Sequence, residues 1–272
     1  MKKFLIFLFA SIIFTTSVFA VDKNSAEYLR NKKHLSPVSP LVENIVQNEI
    51  KKSLKKETGA NFKVKFKAYN LSSLKAGVFK YLEITGKNVT VEDIFVPYLK
   101  FYSISDYNRI DYKKNPIEMK SDMVYAYEIN LSEKSINDAL KNKDYKQTIQ
   151  RVNNKAYPLF AINDVKIKIK NNRIYIIMTY NFPINPVGKN KTFYVSSDFS
   201  VENGVIKAKN IGIDKAYGNV PLDKVANLIN LLDPLSFTLD MMNSNKCKGK
   251  TENIKIVDNI FQINGRIYVK GE

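Results

Sequence analysis

The sequence offers few side chains of the kinds that perform covalent chemistry. It contains one histidine, His34, and one cysteine, Cys247, among 272 residues. Nucleophilic catalysis needs a base held beside the nucleophile, and His34 follows two lysines with no acidic partner nearby in the sequence. The zincin pattern His-x-Glu-x-x-His, a Cys-x-x-Cys pair, a nucleophile elbow and a phosphate-binding glycine loop are all missing from the sequence. We therefore predict a non-enzymatic protein without a metal site or another cofactor.

Acidic and serine residues form no better catalytic constellation. Glu92 and Asp93 are adjacent, and adjacent residues on a strand point to opposite faces. Ser132 and Ser135 lie near lysines, but Ser132 is placed to cap a helix, and Ser135 suits a solvated helix face. An exported enzyme acting on a lipid-linked glycan is kept as a minor alternative.

The charge balance argues against nucleic acid as the partner. The formal net charge is +17, yet only five of the 43 basic residues are arginine. Recognition of bases and phosphates favours the bidentate fork of arginine. An excess of lysine fits either plain solvated surfaces or attraction to an anionic membrane surface, worth about 1 kcal/mol per lysine near the headgroups.

The N-terminus has the pattern of a secretory signal. Lys2 and Lys3 precede an apolar run over residues 4–18, and Val18, Phe19 and Ala20 form a small-x-small-like cleavage site. The run is short for a transmembrane helix, which needs about 20 residues. We predict a signal peptide over 1–20, cleaved after Ala20, and a periplasmic or otherwise extracytoplasmic location. A flexible segment over 21–38 would precede a single domain over 39–272.

An amphipathic helix followed by an alternating strand opens the predicted domain. Ser39 can cap a helix and Pro40 suits its first position. Six apolar residues then recur at helical spacing: Leu41, Val42, Ile45, Val46, Ile50 and Leu54. From Phe62 to Ala68 apolar residues alternate with lysines, which gives a strand one apolar and one cationic face. The helix is expected to cover the apolar face.

Hairpins and two further helices complete the predicted fold. Ser132 begins a helix that continues to Val152 after a break near Asn142, and a third helix covers residues 221–232. Tight turns are expected at Asn171-Asn172, Asn203-Gly204 and Asp258-Asn259. We predict an α+β fold in which a long, curved antiparallel sheet wraps around the N-terminal helix.

Residues 73–84, SLKAGVFKYLEI, resemble the central signature of the LmeA-like family of exported phospholipid-binding proteins. In that family a Ser-Leu-x-x-Gly turn links an apolar strand to the next strand. Asp233-Pro234-Leu235 resembles a later landmark of the family, and the similarity extends from Ser39 to Tyr268. The resemblance implies a tubular or half-pipe lipid-binding architecture.

These patterns give a hypothesis for how an acyl lipid is held. An apolar trough would be lined by helix and strand residues: Leu41, Ile45, Ile50, Phe62, Val64, Phe66, Phe79, Leu82 and Ile84. Phe79 and Leu82 cannot both face inward on one regular strand. Lysines at the rim would meet the phosphate: Lys51, Lys55 and Lys75. The alternative is an envelope scaffold or interaction module whose core is filled by its own side chains, supporting glycolipid or envelope assembly.

Overall fold

A computed structural model describes residues 40–91, 94–111, 118–156, 160–183, 190–213, 227, 229, 232 and 247–271. The predicted signal peptide, the segment before residue 39, His34 and the Glu92-Asp93 pair lie outside the described residues. So does most of the helix predicted over 221–232. Three of its residues are described as helical, and two of these, Ile229 and Leu232, are buried.

Four helices and thirteen strands occupy the described residues. The helices are α1 (Pro40–Thr58), α2 (Leu71–Lys75), α3 (Glu133–Leu140) and α4 (Lys143–Ala156). The strands are β1 (Phe62–Lys67), β2 (Val78–Phe79), β3 (Tyr81–Val91), β4 (Ile94–Ser103), β5 (Asn108–Asp111), β6 (Glu118–Met119), β7 (Met123–Leu131), β8 (Ala161–Lys170), β9 (Arg173–Asn181), β10 (Lys191–Glu202), β11 (Val205–Ile213), β12 (Cys247–Val257) and β13 (Ile260–Val269). The predicted α+β class is confirmed.

The strands form three antiparallel sheets. The largest has the order β1-β3-β4-β7-β13-β12, the second β11-β10-β9-β8, and the smallest β2-β5-β6. One cluster of buried side chains includes residues from both larger sheets. We call the side of the six-stranded sheet that faces away from this cluster its outer face.

The strand and the tight turns that local sequence patterns predicted are present in the structure. The burial of β1 alternates residue by residue, with phenylalanine and valine inward and lysine outward. Asn171, Asn172, Asn203, Asp258 and Asn259 all have positive φ, as tight hairpins with primed turns require. Two of these turns also meet, because the backbone N–H groups of Asn172 and Asn259 each donate to the other's side-chain oxygen.

The extended segment over residues 78–85 is divided into two strands by a break at Lys80. Val78 and Phe79 pair with β5, while β3 begins at Tyr81 and pairs with β1. The break resets the alternation of side chains. Phe79 and Leu82 are therefore both buried, at 1% and 2% exposure, which a single regular strand would not allow.

The edge of the four-stranded sheet is closed by side chains from α3 and α4. The amide of Asn153 donates to the carbonyl of Ile162 at 2.8 Å and accepts from its N–H at 2.7 Å. Asn137 makes the same pair of bonds with Ile167. Because each amide occupies both backbone groups, it takes the place of a neighbouring strand and leaves fewer edge groups open for pairing with another chain.

Asn153→Ala is expected to lower the free energy of unfolding by about 2 kcal/mol. The substitution leaves a part-buried backbone N–H and C=O without their partners, and each lost bond is worth roughly 1 kcal/mol. Urea unfolding followed by circular dichroism measures the loss. Asn163→Ala is the matched control, since among the described residues the Asn163 amide bonds only to the exposed Asn190 side chain. Equal losses for both variants would show that the edge contacts contribute little.

Candidate functional site

Seven of the nine predicted lining residues lie together in the buried core. Ile50 comes from α1, three residues from β1, and three from the β2–β3 segment, with exposures between 0% and 6%: Ile50, Phe62, Val64, Phe66, Phe79, Leu82 and Ile84. Phe66 and Phe79 pack ring against ring with centroids 5.5 Å apart. The side chains of the protein itself fill this interior.

Leu41 and Ile45, the other two predicted lining residues, lie on the exposed side of α1. Their exposed fractions are 68% and 47%, whereas the buried stripe of α1 consists of Glu43, Val46, Ile50 and Leu54. With 3.6 residues per turn, Leu41 lies on roughly the opposite side of the helix from that stripe. The helix is thus rotated relative to the predicted orientation.

Glu43 accounts for that rotation and was missed by sequence reasoning. It is 7% exposed, and its carboxylate accepts hydrogen bonds from Lys67 Nζ at 2.7 Å and from the backbone N–H of Ala68 at 3.2 Å. A carboxylate in the first turn also suits the positive end of the helix dipole. Glu43 therefore fastens the N-terminal end of α1 to the end of β1, which is the edge strand of the six-stranded sheet.

The three predicted headgroup lysines are not brought into one cluster. Lys75 ends α2, which follows the point where Glu43 meets β1. Lys51 and Lys55 lie two to three helical turns from Glu43 along α1, or roughly 12 to 18 Å. Lys55 and Lys75 are exposed and Lys51 is half-buried. A headgroup near α1 would meet Lys51 and Lys55 together, without Lys75.

The Ser-Leu-x-x-Gly segment forms a short helix instead of a simple turn. Asn70 caps α2, accepting from the backbone N–H of Ser73 at 2.7 Å. Ser73 is 1% exposed, and Gly77 follows with φ of +72°, a conformation that glycine adopts without strain. The segment leads into β2, which pairs with β5 and contributes Phe79 to the interior.

The outer face of β3 carries a polar network, on the side of the sheet opposite the apolar interior. Glu83 lies 2.7 Å from Lys65 Nζ and 4.0 Å from Lys100 Nζ, and the Tyr81 hydroxyl donates to its second oxygen at 2.7 Å. Lys100 also lies 3.7 Å from Glu128 and 4.8 Å from the ring centre of Tyr102. These contacts link β1, β3, β4 and β7 on the solvent side.

The network shifts the titration of two of its members. Burial raises the pKa of the Glu83 carboxyl, but the hydrogen bonds from Lys65 and Tyr81 and the charges of Lys65 and Lys100 outweigh it, so this pKa is lowered. Burial and the hydrogen bond to Glu83, with its negative charge, raise the pKa of the Tyr81 hydroxyl well above its usual range. At neutral pH the pair is therefore a carboxylate with a neutral phenol.

Glu83→Gln is expected to lower the free energy of unfolding by about 1–2 kcal/mol at pH 7, because bonds from charged groups to a carboxylate are lost. Since the pKa of Glu83 is lowered in the folded state, its contribution is present above the unfolded pKa of about 4.3 and is lost as the pH falls through the folded pKa. The difference between variant and parent should shrink in urea unfolding at pH 3. A difference that stays constant with pH would contradict this account.

Glu49→Gln is the control for that experiment. Glu49 pairs with Lys52 at 2.7 Å on the exposed side of α1, and exposed pairs of this kind are worth about 0.2–1 kcal/mol. A loss as large as that of Glu83→Gln would mean that removal of any carboxylate from this cationic protein has the same cost.

The serines considered as nucleophiles act as a helix cap. The hydroxyl of Ser132 accepts from the backbone N–H of Ser135, and the Ser135 hydroxyl accepts from that of Ser132. The two hydroxyl oxygens lie 2.8 Å apart. The predicted cap at Ser132 is thereby confirmed, with a break between α3 and α4 at residues 141–142. The predicted solvated position of Ser135 is wrong, because its side chain is buried in the capping box.

Neither a metal-binding cluster nor a membrane-spanning helix occurs in the described part of the chain. No three histidine, cysteine, aspartate or glutamate side chains there are placed to hold a metal ion. None of the helices found there has both the length and the apolar character that a membrane span requires. The candidate site is the α1–β1–β3 interior, together with the two exposed apolar side chains of α1, Leu41 and Ile45.

Comparison of the chain with protein-family models, with curated proteins and with solved structures gives no match. The resemblance to the LmeA-like family stays a prediction, and the functional proposal below depends on the geometry of the described residues.

Proposed function

We propose that the protein binds, and can transfer, phospholipid or another acyl lipid in the cell envelope without catalysing a reaction, in a tubular or half-pipe fold. The supporting observation is that α1, β1 and β3 contribute to one apolar interior, and that α1 also exposes two apolar side chains, Leu41 and Ile45, on its other side. Each acyl methylene that enters such an environment gains about 0.8 kcal/mol, so the tails need no specific chemistry.

The edge of the six-stranded sheet is the place where a lipid would enter. Helix α1 packs along the edge strand β1. Glu43 fastens the N-terminal end of this helix to Lys67 and Ala68. Because the interior is filled, acyl chains can enter only where side chains give way, and separating α1 from β1 disturbs a single edge strand. Leu41 and Ile45 would make the first contact with the tails.

The cationic side chains of α1 would then meet the phosphate. Lys51, Lys52, Lys55 and Lys56 lie in the second half of the helix, and Lys55 and Lys56 occupy its last turn. A phosphate at this position would lie within reach of Lys51 and Lys55. Binding is therefore expected to be tighter to anionic than to zwitterionic vesicles, and to weaken with salt, because exposed charges are screened over about 8–10 Å.

A scaffold or interaction module with a self-filled core is the second candidate. The observation that favours it is the exposure of only 0–6% for the seven interior residues. A core packed in this way stabilises a fold whether or not it ever admits a lipid. The two candidates differ in one property, the uptake of lipid.

Uptake of a fluorescent phospholipid from vesicles separates them. Ile45→Gln and Leu41→Gln are expected to weaken uptake by about tenfold, since burial of a large aliphatic side chain is worth about 1.5–3 kcal/mol. Both positions are exposed, so the fold should tolerate the changes. Val257→Gln, at an exposed apolar position beside the β12–β13 turn, is the matched control.

The outcomes are distinct. If the parent takes up no lipid, the lipid-binding proposal fails and the scaffold candidate replaces it. If the parent takes up lipid and the α1 variants take up as much, the entry site is not at α1. Val64→Gln tests the interior directly, provided that thermal unfolding shows the variant to be folded.

A further inference from the structure

The outer face of the six-stranded sheet combines aromatic rings and amides in its centre with lysines along its two edges. Strands β4, β7 and β13 carry three tyrosines and three amide side chains on this face, all half-buried or exposed: Tyr98, Tyr102, Tyr268, Asn130, Gln262 and Asn264. The edge strands β1 and β12 contribute three lysines each. All six lysines are exposed. The outer face contributes nothing to the apolar interior on the other side of the sheet.

One cross-strand row shows this arrangement most clearly. In the strand register Lys87 of β3 pairs with Tyr98 of β4, Tyr98 with Asn130 of β7, Asn130 with Gln262 of β13, and Gln262 with Lys255 of β12. Neighbouring strands lie about 4.8 Å apart, so the row spans roughly 19 Å. A ring and two amides thus lie in line between two cations.

The charges of this row are available to a ligand. Neither Lys87 nor Lys255 makes an ion pair with another described residue, whereas the carboxylates of the outer face are already engaged. Glu83 pairs with Lys65, and Glu252 pairs with Arg266 at 3.0 Å. The face therefore presents a positive potential that is strongest at its edges, where an anionic chain crossing the sheet would be held.

We propose that the outer face binds an acidic polysaccharide, which lies across the strands along the row from Lys87 to Lys255. The face of a tyrosine ring suits the C–H face of a sugar ring, because the ring is apolar with a negative π surface. Side-chain amides donate to and accept from sugar hydroxyls. The two lysines pair with the carboxylates of the polymer. This inference is independent of lipid binding in the interior.

Other anionic partners fit the row less well. A bilayer surface would favour exposed aliphatic side chains beside the cations, but the centre of this row consists of a phenol ring and two amides. Nucleic acid would favour arginine, and the cations of the row are lysines. Both partners are outcomes of the test below.

Isothermal titration of the full-length chain with polygalacturonate tests the proposal. The fully methyl-esterified polymer of the same length is the matched ligand, because it keeps the sugar rings and removes the charge. We expect binding to polygalacturonate that is at least about tenfold tighter than to the ester. Tyr98→Ala and the double variant Lys87→Gln/Lys255→Gln are each expected to weaken it by about tenfold.

Matched variants come from the second sheet. Tyr194→Ala removes an exposed tyrosine of β10, and Lys168→Gln/Lys170→Gln removes two exposed lysines of β8. Each should change the dissociation constant by less than about twofold. If Tyr98→Ala fails to fold, as judged by thermal unfolding, the double lysine variant decides the test.

Several results would overturn the proposal. The first is no binding of polygalacturonate, and the second is that the variants of the second sheet weaken polygalacturonate binding as much as those of the row. The third is that polyphosphate, single-stranded DNA or anionic vesicles bind as tightly as polygalacturonate and that Tyr98→Ala has no effect on binding. The last result would mean a general polyanion surface.

Discussion

Phe66→Ala is expected to lower the free energy of unfolding by about 3–5 kcal/mol. Phe66 is 1% exposed, and its ring packs against that of Phe79 with centroids 5.5 Å apart. Truncation removes the transfer free energy of the ring and leaves a cavity that the surrounding strands can close only in part. Urea unfolding at pH 7, followed by circular dichroism, measures the loss.

Lys63→Ala is the matched control for Phe66→Ala. Lys63 lies on the same strand with its side chain on the exposed outer face, and a surface substitution of this kind usually changes stability by less than about 0.5 kcal/mol. A loss below about 1 kcal/mol for Phe66→Ala would contradict the packed interior. It would mean that the ring faces an open groove even without lipid.

Gly265→Ala is expected to lower the free energy of unfolding by about 2–4 kcal/mol. A Cβ at this position in β13 would lie 2.1 Å from the carbonyl oxygen of Lys250 and 2.7 Å from the hydroxyl of Tyr127. The pairing of β12 with β13 shifts by one residue between Thr251 and Asn253. A glycine beside such a bulge permits the close approach of the two backbones.

The reason for the size of this effect is that none of the neighbours can move easily. The Tyr127 ring is 2% exposed, and its hydroxyl is 3.1 Å from the hydroxyl of Thr251. The added methyl group would push strand β12 outward or break this bond. Thermal unfolding measures the effect, with the adjacent and exposed Asn264→Ala as control. Equal midpoints for the two variants would mean that the strands separate without cost.

Features that depend on neighbouring residues could be predicted from the sequence. The strict alternation of β1 is a local pattern with one interpretation, and the structure confirms it. Pairs such as Asn171-Asn172 and Asn203-Gly204 predict tight turns because few other residues adopt positive φ, and both were confirmed. The Ser132 cap belongs to the same group, since its partner lies three residues away.

The rotation of α1 could not be predicted, because its apolar residues fit two overlapping stripes. Val46 and Ile50 belong to one stripe, and Leu41 and Ile45 to the other. The choice is made by Glu43, whose partners Lys67 and Ala68 are 24 and 25 residues away in the sequence. No pattern in the neighbouring residues indicates that this carboxylate is buried, because charged residues of an amphipathic helix normally lie on its solvent side.

The features that the sequence did not predict also depend on contacts between residues far apart in the chain. The break at Lys80 arises because β2 pairs with β5 while β3 pairs with β1, and nothing in residues 78–85 marks that change of partner. The edge contacts of Asn137 and Asn153 join residues 30 and nine positions apart. In a chain rich in asparagine, those two do not differ from the exposed ones by sequence alone.

Extraction of the purified full-length protein with organic solvent, followed by mass spectrometry, tests lipid binding most directly. We predict an acyl lipid in roughly stoichiometric amount, and less of it in the folded Ile45→Gln and Leu41→Gln variants. Val257→Gln should retain as much as the parent. An extract without lipid, from a protein that also takes up none from anionic vesicles, would contradict the account and leave the interior as the core of a scaffold.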